Sequence, residues 1–192
     1  MFKKELRVKY KALRNQLSIE TIEDHSMAIA NRLLSLNIWE FTYFHLFMTI
    51  EEQKEVDTEF ILQILAGRDK EIVVSKSHFE TIEMTHYLLT DNTKFQKNAY
   101  NIYEPVDGIE VPSAKIDVVF VPLLAYDVDG NRVGYGKGFY DAFLSKCSKD
   151  VVKIGLSFFD PEPEITAILE TDIRLDYCVT PMKVYNFRQP FS

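Results

Sequence analysis

Gly134, Gly136 and Gly138 recur at every second position, with Arg132 and Lys137 set among them. Glycine accepts positive φ and lets successive backbone N–H groups point into one concavity, which is how a peptide loop wraps an anion. These residue types therefore point to binding of a phosphate. No Ser or Thr follows a Gly-Lys pair, so the loop is not a Walker A, and it is not Gly-x-Gly-x-x-Gly either. On glycine chemistry alone, a surface turn begun by Asp129-Gly130 is the competing reading.

Elements on both sides must hold such a loop in place. Asp117-Val118-Val119-Phe120-Val121-Pro122 is an apolar, β-branched run closed by proline, the pattern of a buried strand that stops where the loop begins. Phe139-Tyr140-Asp141-Ala142-Phe143-Leu144 reads as a helix start whose unpaired N–H groups would face the same anion. At the other end of the chain, Lys3 to Leu17 is an amphipathic helical pattern with Leu6, Tyr10, Leu13 and Leu17 on one stripe. Lys3, Arg7 and Arg14 share a second face, either a solvated basic edge or a source of charge for a ligand.

Between these segments strands and helices alternate. Ser18 is placed to cap a helix over Ile19 to Leu36, with Ile22, Ile29, Leu33 and Leu36 as its core stripe and His25 at the surface. Phe41 to Ile50 reads as the first core strand, containing His45 as a packed histidine with a satisfied ring nitrogen. Glu51 to Thr58 turns the chain, and Asp57 or Thr58 caps a helix through Phe60, Ile61, Ile64 and Leu65 that ends at Gly67. Glu71 to Ser75 completes a right-handed β-α-β unit. Thr81 to Leu89 is extended, and His78 and His86 lack cysteine or carboxylate partners at metal spacing, so both read as structural. A strand over Val151 to Phe158, a short helix over Glu164 to Leu169 and a strand over Tyr177 to Thr180 follow.

A length of 192 residues predicts one domain, residues 1–192, with a sizeable core, and 46% hydrophobic with 27% charged residues is an ordinary globular balance. A formal charge of −7 argues against a general nucleic-acid or membrane-surface binder, so any anionic ligand must be met by local positive charge. Cys147 and Cys178 are too few for a disulfide framework or a zinc site, and no run reaches the length of a membrane span. A soluble cytoplasmic protein is expected, a monomer or weak homodimer.

Asp129-Gly130-Asn131-Arg132-Val133-Gly134-Tyr135-Gly136-Lys137-Gly138-Phe139-Tyr140-Asp141 resembles the signature of the 5-formyltetrahydrofolate cyclo-ligase (methenyltetrahydrofolate synthetase) family, Gly-x-Arg-Leu-Gly-x-Gly-x-Gly-Tyr-Tyr-Asp. Val133 and Phe139 stand where that pattern has Leu and Tyr, and Leu123 stands in place of a glycine after Pro122. The N-terminal Lys-x-x-x-Arg is similar to the family's first helix, which implies that Lys3 and Arg7, with Lys4 as a substitute for Lys3, meet the phosphates of a nucleotide. The resemblance further implies a folate pocket using Met48 and Glu55, with Tyr100 either stacking on the pterin or anchoring its loop. Lys76, at the end of a parallel strand, is a candidate contact for a phosphate or a glutamate tail. Tyr103 replaces the first proline of the family's segment around Tyr100.

The fold implied is a three-layer α/β/α domain with a mostly parallel, Rossmann-like sheet. The reaction implied is ATP-dependent closure of 5-formyltetrahydrofolate to 5,10-methenyltetrahydrofolate. Phosphorylation of the formyl oxygen makes it a leaving group, and the folate's N10 then attacks the activated carbon. Arg132, Lys137 and Tyr140 take catalytic roles. The segment Val133 to Tyr140, including Gly134, Tyr135, Gly136, Gly138 and Phe139, cradles the nucleotide, and Tyr140 lines its junction with the folate. Mg²⁺ would use Asp141 and Asp172. A sugar-phosphate isomerase on a similar scaffold and a non-catalytic nucleotide-binding module are the rival readings.

Overall fold

A computed structural model describes residues 1–188. Two helices open the chain: α1 (Lys3–Asn15), whose first turn is held by the Glu5 carboxylate accepting Phe2 N–H at 3.0 Å, and α2 (Ile19–Leu33), capped by Ser18 Oγ accepting Thr21 N–H at 3.1 Å. Then come β1 (Tyr43–His45), α3 (Glu59–Gly67), β2 (Glu71–His78), β3 (Glu83–Leu88), β4 (Phe95–Lys97) and β5 (Tyr103–Pro105). The remaining elements are β6 (Val118–Pro122), β7 (Ala125–Tyr126), β8 (Arg132–Val133), α4 (Phe139–Ser145), β9 (Val152–Leu156), β10 (Tyr177–Val179) and β11 (Val184–Asn186).

Seven strands form the main sheet in the order β11-β10-β9-β6-β1-β2-β3. The inner pairs are parallel, and the two edge strands β11 and β3 run antiparallel to their neighbours. Alternation along β6 explains its apolar run: Val118 and Phe120 face the core under α2 and α3, while Val119 and Val121 face the core under α4. Helices thus cover both faces, as the alternating sequence pattern implied. A third cluster places Leu6 and Tyr10 of α1 against Leu124, Ala125 and Val133, so α1 docks on the β7–β8 hairpin rather than on the sheet. No helix among the described residues is long and apolar enough to cross a membrane.

The structure corrects several sequence expectations. Only Tyr43 to His45 of the Phe41–Ile50 run pairs as a strand; beyond it the main chain turns inward, and Ile50 N–H donates to Glu55 at 2.8 Å. Asp57, not Thr58, supplies the capping oxygen of α3, to Glu59 N–H at 3.0 Å. The helix expected over Glu164 to Leu169 is absent, because that segment is strapped across the molecule: Ile165 N–H donates to Asp127, and Thr166 N–H to the Met1 carbonyl. The helix expected to reach Leu36 ends at Leu33.

Gly155 on β9 shows how tightly the sheet packs beneath the site. An added Cβ would lie 2.6 Å from Leu123 Cδ2 and 2.7 Å from Leu175 Cδ1, both buried. Gly155→Ala is expected to cost about 1–3 kcal/mol by overpacking. A lower urea midpoint at unchanged slope is the measurement that checks it.

Candidate active site

Strand order reverses between β1 and β6: the chain leaves β1 toward β2 on one side, and leaves β6 toward β9 on the other. In an open α/β sheet the crevice outside the carboxyl ends of two such strands is where ligands bind. A cavity of about 520 Å³ lies there, walled by His45 and Met48 after β1 and by Pro122 at the end of β6. The glycine loop and the first helix close over it.

Gly136 and Gly138 adopt φ of +93° and +82°, the left-handed region in which a β-carbon is strained. Arg7 on α1 reaches across to this loop, its Nε donating to the Gly134 carbonyl at 2.9 Å. Its guanidinium lies flat on Gly136, where a Cβ would come within 3.1 Å of Cζ. Gly136 is therefore required twice, for its backbone angle and for the seat it leaves to Arg7. Gly136→Ala is expected to destabilise the fold by about 1–3 kcal/mol, the cost of strain at one such residue. Urea unfolding, with a lower midpoint at unchanged slope, checks it.

Lys3 and Arg7 both line the cavity, with Lys3 ion-paired to Asp172. Lys4 is exposed and lies outside the cavity lining. Lys11 stands in the lining instead, its Nζ 5.6 Å from the centre of the Tyr135 ring. Lys3, Arg7 and Lys11 are four residues apart in succession, a spacing that marks one helix face and was the available signal. Arg14, placed with Lys3 and Arg7 by sequence, has a different job. It is only 4% exposed and donates to the Tyr135 hydroxyl at 2.8 Å and to the Gln53 and Leu123 carbonyls.

Tyr135 in turn donates from its hydroxyl to Glu55 Oε1 at 2.7 Å, so the side chain of this glycine-loop residue points into the other half of the cavity. Glu55 is 3% exposed, whereas Glu51 and Glu52 point outward, which settles which glutamate enters the pocket. Burial raises the Glu55 carboxyl above the ordinary range against the pull of Ile50 N–H, Tyr135 and Arg14. Burial also pushes the Tyr140 hydroxyl upward, reinforced by the nearby Glu55 charge and opposed by Arg132. That hydroxyl makes no hydrogen bond among the described residues.

Arg132 is buried against Asp141. Both terminal nitrogens donate to Asp141 Oδ1 at 2.9 Å, and Nη1 also donates to the Ile173 carbonyl at 2.8 Å. Lys137 is exposed on the loop at the cavity mouth. Val133 touches the cavity edge, but its side chain is spent in the core under α1. Phe139 packs edge-on to Phe79 at 5.1 Å, and Tyr100 stacks on Phe79 at 4.1 Å, so an aromatic rim surrounds the mouth and Tyr100 belongs to it. Lys76 falls outside the lining: along β2, Ser75 and Ser77 face the cavity and the intervening Lys76 points away. Sequence reasoning missed Ser75, Ser77 and Phe79, which reach the cavity because β2 runs on past its apolar core, and Glu104 of β5, which accepts Ser77 N–H at 2.9 Å.

Among the described residues no group of three or more His, Cys, Asp or Glu side chains is set to enclose a metal. A cation held by one or two carboxylates plus phosphate oxygens needs less, and Asp141 and Asp172 both line the cavity. Asp141 Oδ1 accepts from Arg132 and from Ile173 N–H, and Asp172 Oδ2 accepts from Lys3 and from Leu169 N–H. Their second oxygens are not engaged by the described residues, so each carboxylate keeps one oxygen for a cation. Burial opposes ionisation of Asp172, but Lys3 and Leu169 N–H hold its carboxyl below the usual range. The donor set fits a Mg²⁺ shared with phosphates.

Comparison with known proteins agrees with this geometry. The sequence pattern of the 5-formyltetrahydrofolate cyclo-ligase family matches residues 1–181. The chain belongs to that family. It is 28% identical to mouse 5-formyltetrahydrofolate cyclo-ligase over 152 residues, 76% of this chain and 74% of that protein. The Haemophilus influenzae cyclo-ligase is 26% identical over 162 residues, covering 81% of each chain. Among solved structures, 5,10-methenyltetrahydrofolate synthetase of Aquifex aeolicus superposes with a TM-score of 0.85 at 29% identity, over 99% of this chain and 95% of that one. A Mycoplasma pneumoniae synthetase, 20% identical, shares the fold with a TM-score of 0.73 over 93% of this chain and 98% of that one. As a cyclo-ligase-family chain with a mostly parallel sheet, it conforms to the expectation drawn from its glycine signature.

Proposed function

We propose that this protein closes 5-formyltetrahydrofolate to 5,10-methenyltetrahydrofolate in an ATP- and Mg²⁺-dependent reaction that releases ADP and phosphate, with residues 1–192 acting as one catalytic unit. The observation that carries the reading is the joining of two unlike half-sites in one cavity: a cationic glycine loop under Arg7, and an apolar compartment holding Met48 and the buried Glu55.

In this reading the nucleotide's phosphates lie on the loop from Gly134 to Gly138. Arg7 holds the loop carbonyl with Nε and keeps its terminal nitrogens for phosphate oxygens, while Lys3, Lys11 and Lys137 supply further positive charge around the mouth. Arg132 serves less as a direct phosphate ligand than as the group that fixes Asp141. Asp141 and Asp172 would hold Mg²⁺, which supplies charge neutralisation to the phosphoryl group being transferred.

Glu55 meets the folate. Two donors already orient its carboxylate, and lone pairs remain to accept the N–H and amino groups of a pterin. Tyr140 lines the same cavity as Glu55 and Arg132 and lies within reach of both their charges, which suits it to the junction of nucleotide and folate. The main work is positioning and charge neutralisation.

Purified protein given 5-formyltetrahydrofolate, ATP and Mg²⁺ is expected to generate the near-ultraviolet absorbance of the methenyl product, with ADP released in equal amount. Omission of ATP or of Mg²⁺ should abolish it. A complete mixture that yields neither product nor folate-dependent ADP rules the reading out.

A further inference from the structure

Four polar side chains form an unbroken line beneath α4; His45 and Ser75 line the cavity, and the reaction described above gives none of the four a role. His45 Nε2 lies 2.7 Å from Ser75 Oγ, Ser75 Oγ lies 2.7 Å from His86 Nδ1, and His86 Nε2 lies 3.0 Å from Ser113 Oγ. They come from β1, β2, β3 and the turn before β6, and the sheet itself sets the order. Ser75 and His86 are directly opposed across the β2–β3 ladder, and β1 pairs with β2 alongside. Phe143 of α4 covers both imidazoles, with ring centres 4.8 Å from His45 and 4.1 Å from His86. At one end His45 stands in the cavity wall, 1% exposed; at the other, Ser113 is part-exposed at the surface.

Each link has one proton to share, so the line has a polarity. If His45 Nε2–H donates to Ser75, Ser75 donates to His86 Nδ1 and His86 Nε2–H donates to Ser113, then His45 Nδ1 is left as a bare acceptor. Nδ1 of His45 is buried and has no partner among the described residues. An unpaired buried nitrogen on the wall of a ligand cavity is costly unless a ligand uses it. Burial keeps both rings neutral, taking His86 down to about 4 and holding His45 well below the ordinary histidine value, with each acceptor nitrogen therefore free of a proton at neutral pH.

The cyclisation proposed above needs a base. N10 of the folate is a secondary amine; once its lone pair has bonded to the activated carbon it carries a positive charge, and its proton must leave before the methenyl product exists. Among the cavity carboxylates, Asp141 and Asp172 are paired with Arg132 and Lys3, and Glu55 is fixed by Tyr135 and Ile50. Asp141 and Asp172 are committed to the cation in this reading and Glu55 to the pterin, so none of the three is free to act as the base. His45 is free, and it heads a hydrogen-bonded path to the surface.

Resting on the cyclo-ligase reading, we propose that His45 is the base that takes the N10 proton, and that Ser75, His86 and Ser113 relay a proton from the cavity to solvent. The transfer balances. Nδ1 of His45 gains the N10 proton as the N10–H bond breaks, and its electron pair stays on nitrogen. Nε2 passes its own proton to Ser75 Oγ, the Ser75 proton moves to His86 Nδ1, and His86 Nε2 gives its proton to Ser113 and thence to water. One positive charge leaves the cavity, and every group ends with the number of protons it began with.

The test compares Ser75→Ala, Ser75→Thr and His45→Phe with the parent enzyme, measuring kcat, KM for each substrate and the solvent isotope effect on methenyl formation, with circular dichroism to confirm folding. Ser75→Ala breaks the line at a serine that is neither nucleotide ligand nor base, and Ser75→Thr restores the hydroxyl. The expected result is a fall in kcat of about a hundredfold in Ser75→Ala and His45→Phe with both KM values little changed, and recovery to within about tenfold in Ser75→Thr. The parent's proton inventory in mixed H₂O and D₂O should bow, as for several protons moving together, and that of Ser75→Ala should not. Should His45→Phe fail to fold, Ser75→Ala and Ser75→Thr decide alone. A kcat for Ser75→Ala within about twofold of the parent overturns the relay, as does a loss confined to KM. A parent enzyme that makes no methenyl product sinks the cyclo-ligase reading itself, an outcome separate from these.

Discussion

Asp141→Ala is expected to be the most damaging single substitution in the site, lowering stability by about 3 kcal/mol and cyclo-ligase turnover by at least about a hundredfold. Two effects converge on this carboxylate. Structurally, Asp141 Oδ1 takes both terminal nitrogens of Arg132 and the Ile173 N–H, and the Arg132 side chain is only 6% exposed. Removing one member of a buried pair leaves an uncompensated charge, which costs more than the pair itself contributes. Asp141 is 29% exposed, so solvent relieves part of that penalty and the low end of the usual range applies. Functionally, its second oxygen is one of the two offered to a cation. The double variant Arg132→Met/Asp141→Ala separates the effects: urea unfolding should recover to within about 1 kcal/mol of the parent, while turnover stays lost. Recovery of turnover along with stability would show that Asp141 is scaffolding alone.

The glycine loop, its cations and the α/β order were legible because each rests on a local rule. Glycines at alternating positions, an apolar run ended by Pro122 and an N-terminal stripe carrying Lys3 and Arg7 can all be read without knowing what lies opposite. What sequence could not supply was pairing across the chain. Arg14 has the same helical credentials as Arg7, yet it is buried under the loop because Tyr135 and the Leu123 carbonyl stand opposite it. Lys4 and Lys11 exchange standing for a related reason: α1 docks on the β7–β8 hairpin, which chooses which basic face looks into the cavity. The helix expected at Glu164 to Leu169 fails because hydrogen bonds to Asp127 and Met1, more than a hundred residues apart in sequence, outbid local propensity. Sequence reads His86 as structural for want of metal partners and His45 as a packed core histidine, and neither inference can see a serine lying between the two rings.

Glu55→Gln is expected to move stability and activity in opposite directions. The folded protein raises the Glu55 carboxyl above its ordinary range, chiefly through burial, so the charged form is disfavoured in the folded state relative to the unfolded chain. That penalty is absent below about pH 4, where the carboxyl is protonated in both states. It grows as pH rises through the interval between the unfolded and folded values, and it is fully present above the folded value. Glutamine removes the charge, keeps its oxygen for Ile50 N–H and turns its amide N–H toward the Tyr135 hydroxyl oxygen, which can accept instead of donating, so its melting temperature should exceed the parent's at neutral pH, with the gap closing on acidification. Activity should fall, because an amide offers one acceptor atom where the carboxylate offers two to the donors of a pterin, and charge-assisted hydrogen bonds are the stronger kind. A loss of about tenfold or more in kcat/KM for the folate is expected, carried mainly by KM, with KM for ATP little changed. A collapse of kcat at constant KM would instead make Glu55 a proton acceptor in the cyclisation and take that role from His45. A variant no more stable than the parent at neutral pH would mean that Arg14, within range of the carboxylate, already offsets its burial.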